Sequence, residues 1–203
     1  MKVKYDFEFD DGNTLNYEVD VNRAPIEEQK LEREADDWVK LDHCQCSNCP
    51  LKRSETQYCP AAYDIQKVVE DFKNQPAFQK VTVKVLSAER TYVKRTALEE
   101  GLRSLMGLIM ATSHCPILAE LKPMANHHLP FSSNDEFILR TASIYLLQQY
   151  LDYRNGEAPD WELNGLVDRN KRLQLVNQAL WQRIHSACES DSNLKALLSF
   201  FSM

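Results

Sequence analysis

The chain opens with KVKYDFEFDDGNTLNYEVDV, residues 2–21, in which apolar and polar side chains alternate. An alternation with a period of two places the apolar side chains on one face of a strand. Asp11 and Gly12 lie between the two alternating runs, residues 2–9 and 15–21, and this pair is a typical hairpin turn signal. The stretch therefore predicts an antiparallel β-hairpin with one buried face.

Two further regions also read as strands. VTVKV at 81–85 and RTYVK at 90–94 are rich in β-branched residues and are separated by four residues, which predicts a second hairpin. WVKLDHCQC at 38–46 has a strand-like start, so we expect a further strand that runs into a group of cysteines.

Most other segments show the helical spacing of apolar residues. One helix is predicted after Cys59, because Pro60 suits the first helical position and an apolar stripe continues to Phe72. Capping boxes of the Ser/Thr-x-x-Glu type at 96–99 and 133–136 predict the starts of two more helices.

The helix that begins near residue 134 is apolar on most sides, so it is predicted to be central. Two last helices are expected near 169–187 and 191–202. The fold class is therefore α+β, with a small antiparallel sheet of two hairpins, a cysteine-rich segment and one helix, followed by a helical bundle. Residues 1–95 and 96–203 form either two parts or one continuous domain, since no linker separates them.

The composition is that of a globular protein. The 203 residues include 43% hydrophobic residues and only 5 Gly, and no apolar run is long enough to span a bilayer. This pattern excludes collagen-like, wholly disordered and membrane-spanning chains. The N-terminus lacks the continuous apolar segment of a secretory signal, so a cytoplasmic location is expected.

Charge is unevenly distributed around the net value of −6. Residues 43–95 carry 9 basic and 5 acidic side chains, whereas residues 1–42 carry 6 basic and 13 acidic ones. The basic segment would suit an acidic or nucleic-acid partner. Neutralisation by the acidic N-terminal part is favoured, so nucleic-acid binding is not expected.

Four of the six cysteines lie between residues 44 and 59. Thiols stay reduced in the cytoplasm, so such a group favours a metal site over disulfides. Cys46 and Cys49 have the two-residue spacing with which a turn presents two sulfur atoms to one ion, and Cys59 follows as a third donor. A tetrahedral zinc site needs four thiolate or imidazole ligands, so one more donor is required.

The fourth ligand depends on the local backbone. If 38–46 is extended, Cys44 and Cys46 project to the same side, whereas a turn would bring His43 beside Cys46 instead. Cys44 is favoured because the segment reads as a strand, so the predicted ligands are Cys44, Cys46, Cys49 and Cys59. His43, Cys115 and His128 are the alternative fourth ligands.

An iron–sulfur cluster is the alternative cofactor to zinc. Cys49, Cys59 and Cys115 each precede a proline, and Cys-Pro is common around iron–sulfur ligands. The spacing of the cysteines fits neither ferredoxin pattern, which favours zinc.

The loop before the second capping box is also chemically dense, with Cys115, His127 and His128. Cys115 precedes a predicted helix start, where the positive end of the dipole favours a thiolate. One hypothesis makes this thiolate a nucleophile that faces His128 or His127, near Glu136 and Arg140. The favoured alternative assigns Glu136 to its capping box, Arg140 to a pair with Glu136, and Cys115 to the core.

Four motifs together resemble an uncharacterised bacterial protein family of about this length. They are C-x-x-C-P-L at 46–51, C-P-A at 59–61, S-x-C-P at 113–116 and P-M-x-x-x-H-L-P-F at 123–131. The resemblance implies a bacterial cytoplasmic protein and brings no activity with it. It points to five positions as site residues: Cys46, Cys49, Cys59, Cys115 and His128.

The leading functional prediction is a binding or regulatory module. A structural zinc site would join the hairpins to the first helix, and the helical half would bind a protein or a small molecule. The second prediction is a redox or metal-dependent enzyme that uses Cys115 and His128. The third is a nucleic-acid binder that uses residues 52–95. Polar residues inside the apolar helix, with two tryptophans, indicate a pocket or, as favoured, hydrogen bonds to neighbouring helices. They are Tyr145, Gln148, Gln149 and Tyr150, with Trp161 and Trp181.

Overall fold

The computed structural model describes residues 1–24 and 35–187. The predicted helix at 191–202 and Cys188 lie outside the described residues, as do residues 25–34 of the charged segment that follows the first hairpin.

Both predicted hairpins are confirmed, and they form one four-stranded antiparallel sheet. The strands are β1 (Lys2–Phe9), β2 (Thr14–Asp20), β3 (Lys80–Leu86) and β4 (Thr91–Ala97), in the order β2-β1-β3-β4. Gly12 has a φ of 86° in the first turn, a conformation that glycine adopts without strain.

One face of the sheet is buried and the other is charged. In β1, Tyr5 and Phe7 are fully buried, and Phe7 is registered between Leu15 of β2 and Val83 of β3. The opposite face carries cross-strand ion pairs, such as the one between Lys84 and Glu8. Exposed pairs of this kind each contribute at most about 1 kcal/mol, so the buried face holds the sheet in place.

Helices α1 (Pro60–Phe72) and α2 (Leu98–Ala111) cover the buried face. The Phe72 ring lies 5.2 Å from the Phe7 ring, centroid to centroid, in an edge-to-face arrangement. Pro60 occupies the first turn of α1 as predicted. The predicted capping box at 96–99 is wrong, because β4 continues to Ala97 and the Thr96 hydroxyl bonds Glu100 instead.

A 3₁₀ helix (Leu118–Leu121) and α3 (Lys122–Asn126) lead to α4 (Asn134–Arg154) and α5 (Asn164–Ala187). The second predicted capping box is confirmed: the Ser133 hydroxyl accepts from the Glu136 N–H at 3.2 Å, and the Glu136 carboxylate accepts from the Ser133 N–H at 2.8 Å. The expectation that α4 is central is wrong, because Thr141 is the buried residue of this helix in the described chain.

A single hydrophobic core includes residues from the sheet, α1, α2 and α5. The α5 contribution is the predicted apolar stripe of this helix: Leu173, Val176, Leu180 and Ile184. Residues on both sides of position 95 therefore share one core.

Candidate metal centre

The cysteine-rich segment is a closed loop and not the predicted strand. A short 3₁₀ helix (Asp37–Val39) comes first, and Lys40 then forms an isolated bridge with Tyr58. The Cys59 N–H donates to the Val39 carbonyl at 2.8 Å. The two ends of the loop from 40 to 58 are therefore hydrogen-bonded to each other beside Cys59, and not to a neighbouring strand.

Cys46 and Cys49 occupy a tight turn within this loop. The Cys49 N–H donates to the Cys46 carbonyl at 3.0 Å, which is the geometry that the two-residue spacing predicts. Both side chains are half-buried and pack against the core. The turn therefore carries both thiols on the inner side of the loop.

Cys59 is the N-cap residue of α1 and is buried. Burial raises the pKa of its thiol, while the nearby charge of Arg183 and hydrogen bonds from the backbone of Ala62 and Ala61 lower it. The net shift is upward, so the helix start does not outweigh the loss of solvent around the sulfur atom.

Cys115 lies in the turn that follows α2 and is also buried. Burial raises the pKa of its thiol to about 11, against backbone hydrogen bonds from Leu118 and Ile117 that lower it. A thiolate at Cys115 is therefore disfavoured in the protein without a bound cation, contrary to the expectation from its position before a helical turn.

These four thiols converge from three separate parts of the chain. Coulombic repulsion between thiolate charges acts between every pair among Cys46, Cys49, Cys59 and Cys115. For Cys46, burial and then the charges of Cys59, Cys49 and Cys115 raise the pKa to about 12. Of the predicted ligands, the structure brings Cys46, Cys49 and Cys59 near one another, and Cys115, one of the alternative fourth ligands, lies near them.

Cys44 and His43 point elsewhere. Cys44 is exposed and has a φ of 46°, and none of the main contributions to the pKa values of the other thiols comes from it. The His43 Nε2 atom lies 2.7 Å from the Ser186 hydroxyl at the end of α5. Cys44 would project to the same side as Cys46 only if the backbone were extended. The backbone forms turns here, so the two side chains do not share a side.

The structure also adds Arg183, a residue that sequence reasoning missed. Its side chain is only 1% exposed, and its guanidinium donates to the carbonyls of Trp38 (2.9 Å), Lys40 (2.6 Å) and Leu41 (2.8 Å). Its Nε atom is buried with no hydrogen-bond partner among the described residues.

The positive charge of Arg183 favours the thiolate form of Cys46 and Cys59, so it lowers the pKa of each. The described residues supply no carboxylate that forms an ion pair with this guanidinium. A buried cation needs a nearby negative charge. The sequence feature that could have indicated a buried Arg183 is its position next to Ile184, which belongs to the apolar stripe of α5.

The thiol side chains do not stand in ligand positions around a common point. Within residues 1–24 and 35–187, no group of three or more His, Cys, Asp and Glu side chains is arranged to hold a metal ion. The four thiols are neighbours in a partly buried cluster, and their sulfur atoms would have to turn toward one another to bind an ion.

His128 takes part in a separate, partly buried network. Its Nε2 atom lies 2.5 Å from the Tyr5 hydroxyl, which lies 2.8 Å from the Ser104 hydroxyl. Burial, and then the charge of Arg140, lower the pKa of His128 to about 4. A catalytic pair of Cys115 and His128 stays a prediction, and the contacts of His128 are those of a neutral core residue.

The other polar residues of the predicted pocket bond their own neighbourhood. The Tyr145 hydroxyl donates to the Asp160 carboxylate at 3.0 Å, and the Gln149 side chain accepts from the Asp160 N–H at 2.7 Å. The Arg140 guanidinium donates to the carbonyls of Met124 and His127. These bonds tie α4 to the loops on either side of it.

The fold and this cluster define a small α+β protein with four converging thiols beside a buried arginine. Residues 3–203 match the family model described as a domain of unknown function, DUF6901, so the chain belongs to the DUF6901 family. No curated protein and no solved structure matches the chain significantly. In the described part of the chain, every helix is too short or too polar to cross a membrane.

Proposed function

We propose that this protein is a binding or regulatory module built around one structural zinc ion held by the thiolates of Cys46, Cys49, Cys59 and Cys115. The observation that carries the proposal is the convergence of these four thiols from three segments beside the buried guanidinium of Arg183. Four thiolates complete the tetrahedral set that structural zinc sites use.

The electrostatics of the cluster support an ion at this place. Burial and mutual repulsion oppose the charged form of the free thiols, whereas Zn²⁺ would replace their protons and remove the repulsion. Four thiolates around Zn²⁺ leave a net charge of about −2. The cation of Arg183 would offset part of that charge and would in turn gain an anionic neighbour, since no ion pair of the described residues includes it.

A four-thiolate site acts as a cross-link, because no coordination position stays open for a substrate. It would join the loop from 40 to 58, the start of α1 and the turn after α2. Arg183 extends the connection to α5 through the carbonyls of Trp38, Lys40 and Leu41. The helical surface beyond this centre is then available for a partner.

An iron–sulfur cluster is the second candidate for the same site. Cys49, Cys59 and Cys115 each precede a proline, and all three lie among the converging thiols. Such a cluster also takes four thiolates, and it would supply electron transfer in place of a purely structural role. This candidate corresponds to the redox alternative for the protein.

The test is metal analysis of the full chain purified without oxygen, combined with its visible spectrum. We expect about one zinc per chain and no visible absorption. Cys115→Ser should lose most of the zinc. Cys44→Ser is the matched control and should keep about one zinc per chain. Brown protein with iron and sulfide selects the second candidate.

Two results would contradict the proposal. One is protein that carries no metal and takes up none when zinc is added to the reduced chain. The other is zinc that is retained by Cys115→Ser and lost by Cys44→Ser, since this would place the fourth ligand at Cys44.

A further inference from the structure

Helix α4 exposes many large apolar side chains to solvent. Thr141 is the buried residue of this helix in the described chain. The polar side chains of Arg140, Tyr145 and Gln149 bond neighbouring loops, and the Tyr153 ring lies 6.3 Å from the Trp161 ring. Leu139 is 67% exposed and Tyr153 is 57% exposed. This arrangement inverts the usual order, in which the apolar face of a helix is the covered one.

The exposed residues form a regular stripe. Leu139, Leu146, Tyr150 and Tyr153 follow one another at intervals of seven, four and three residues. Such spacing keeps side chains on one face of a helix and is the repeat that two helices use when they pack lengthwise. The 21 residues of α4 extend over roughly 31 Å, so the stripe offers a contact along the whole helix.

The exposed apolar area of this face approaches what a standard interface buries. The four residues of the stripe are at least 38% exposed, and with roughly 150–250 Å² per large side chain their exposed parts amount to roughly 400 Å². Ile138 and Leu147 flank the stripe and add roughly 250 Å². The total of roughly 650 Å² exceeds the about 600 Å² of the larger apolar patches on monomers, and a standard interface buries about 800 Å² on each partner.

The ends of α4 indicate which partner fits. The helix begins with Asp135 and Glu136 and ends with Arg154. An antiparallel second copy of α4 would place each acidic end near the basic end of the other helix, and it would also align the two helix dipoles favourably. The stripe is centred on Leu146, which suits a two-fold axis where the same patch meets itself.

We infer that the protein forms a homodimer in which two α4 helices pair antiparallel through the stripe of Leu139, Leu146, Tyr150 and Tyr153. Leu146 would meet its own copy at the axis, and Leu139 would pack against Tyr153 of the other copy. The inference concerns a surface remote from the thiols and does not depend on the metal.

Sedimentation equilibrium of the full chain tests the inference. We expect a species of twice the 23.5 kDa chain mass. Leu146→Glu would bring two like charges together at the axis and should weaken the dimer by about a hundredfold or more. Val93→Glu is the matched control, because Val93 is 59% exposed and lies opposite Lys84 on the charged face of the sheet, and the dimer should persist.

A second variant guards against a loss of folding. Leu139 is the more exposed of the two leucines, so Leu139→Glu has little native packing to disturb within one chain, and it should also give a monomer with unchanged circular dichroism. A wild-type chain that sediments at 23.5 kDa at all concentrations overturns the inference and assigns the stripe to residues 188–203 or to a different protein. Dimers that survive both glutamate substitutions overturn it as well.

Discussion

Arg183 connects the thiol cluster to the main core at the level of a single side chain. Its three bonds go to the carbonyls of Trp38, Lys40 and Leu41, which form the entry to the cysteine-rich loop. Its charge also reaches Cys46 and Cys59. One buried residue of α5 therefore fixes the loop and supplies positive charge beside the thiols.

Substitution of Arg183 by methionine should destabilise the fold strongly. The change leaves three buried carbonyls without donors, at about 1 kcal/mol or more each, so we expect the free energy of unfolding to fall by roughly 3 kcal/mol. Denaturant titration of the full chain measures this.

Arg172→Met is the control on the same helix, since Arg172 pairs with Glu120 at the surface and its loss should cost at most about 1 kcal/mol. Equal effects of the two substitutions would mean that the carbonyl bonds of Arg183 contribute little.

His128 gives the protein a defined dependence of stability on pH. Its pKa is about 4 in the fold against 6.5 in the unfolded chain, so the unfolded chain takes up the proton first as the pH falls. Stability is therefore unaffected above about pH 6.5 and is lost progressively between about pH 6.5 and 4, by up to about 3 kcal/mol. His128→Gln should remove this loss.

The comparison is between denaturation at about pH 7 and at about pH 4.5 for His128→Gln and for His127→Gln, whose side chain is exposed. The His127 variant should keep the full loss. Identical pH profiles for the two variants would show that His128 is not held neutral in the core.

Part of the candidate site could be predicted from residue spacing, and part could not. The C-x-x-C turn and the nearby Cys59 are local features, so their sequence spacing already constrains their geometry. Cys115 is brought in by the packing of α2 against α1, which no local pattern reports. An extended segment would place Cys44 beside Cys46, but the segment forms turns, which leave Cys44 exposed.

At the scale of elements, the approach of α2 to the sheet depends on a glycine. A Cβ atom at Gly101 would lie 2.8 Å from the Phe7 ring and 2.9 Å from a methyl group of Val83. Distances this short force the helix and the strands apart, because both neighbours are fully buried.

Gly101→Ala should therefore destabilise the protein by about 1–3 kcal/mol, despite the better helix propensity of alanine. The midpoint of urea denaturation measures the change. A variant as stable as the wild type, or more stable, would show that α2 is not packed closely on β1 and β3.

Elements that local sequence patterns specify are predicted correctly. Elements whose conformation or burial depends on packing against distant parts of the chain are not. The hairpins follow from alternation, and Ser133 marks the start of α4 through its own side chain. Trp38, Val39 and Leu41 belong to the core that α5 shares, and the backbone of their segment bonds its own loop. In α4 the apolar residues predicted burial, but they do not say whether the covering surface belongs to the same chain.

At the scale of the whole molecule, one core holds the sheet and residues of α1, α2, α3 and α5, and the thiol cluster lies at its edge. A metal at that place would tie together segments that are far apart in sequence, which adds most to stability where the enclosed loops are long. Helix α4, by contrast, has little of its surface covered by the described chain. The protein thus combines a core that a metal would cross-link with an exposed helix, α4.

The most direct test of the metal centre is X-ray absorption at the zinc edge on the metal-loaded full chain. Four sulfur ligands at about 2.3 Å, and no nitrogen or oxygen in the first shell, are the predicted result. Cys44→Ser should give the same spectrum as the wild type. A first shell with three or fewer sulfur atoms, or one that is unchanged in Cys115→Ser, would contradict a centre built from Cys46, Cys49, Cys59 and Cys115.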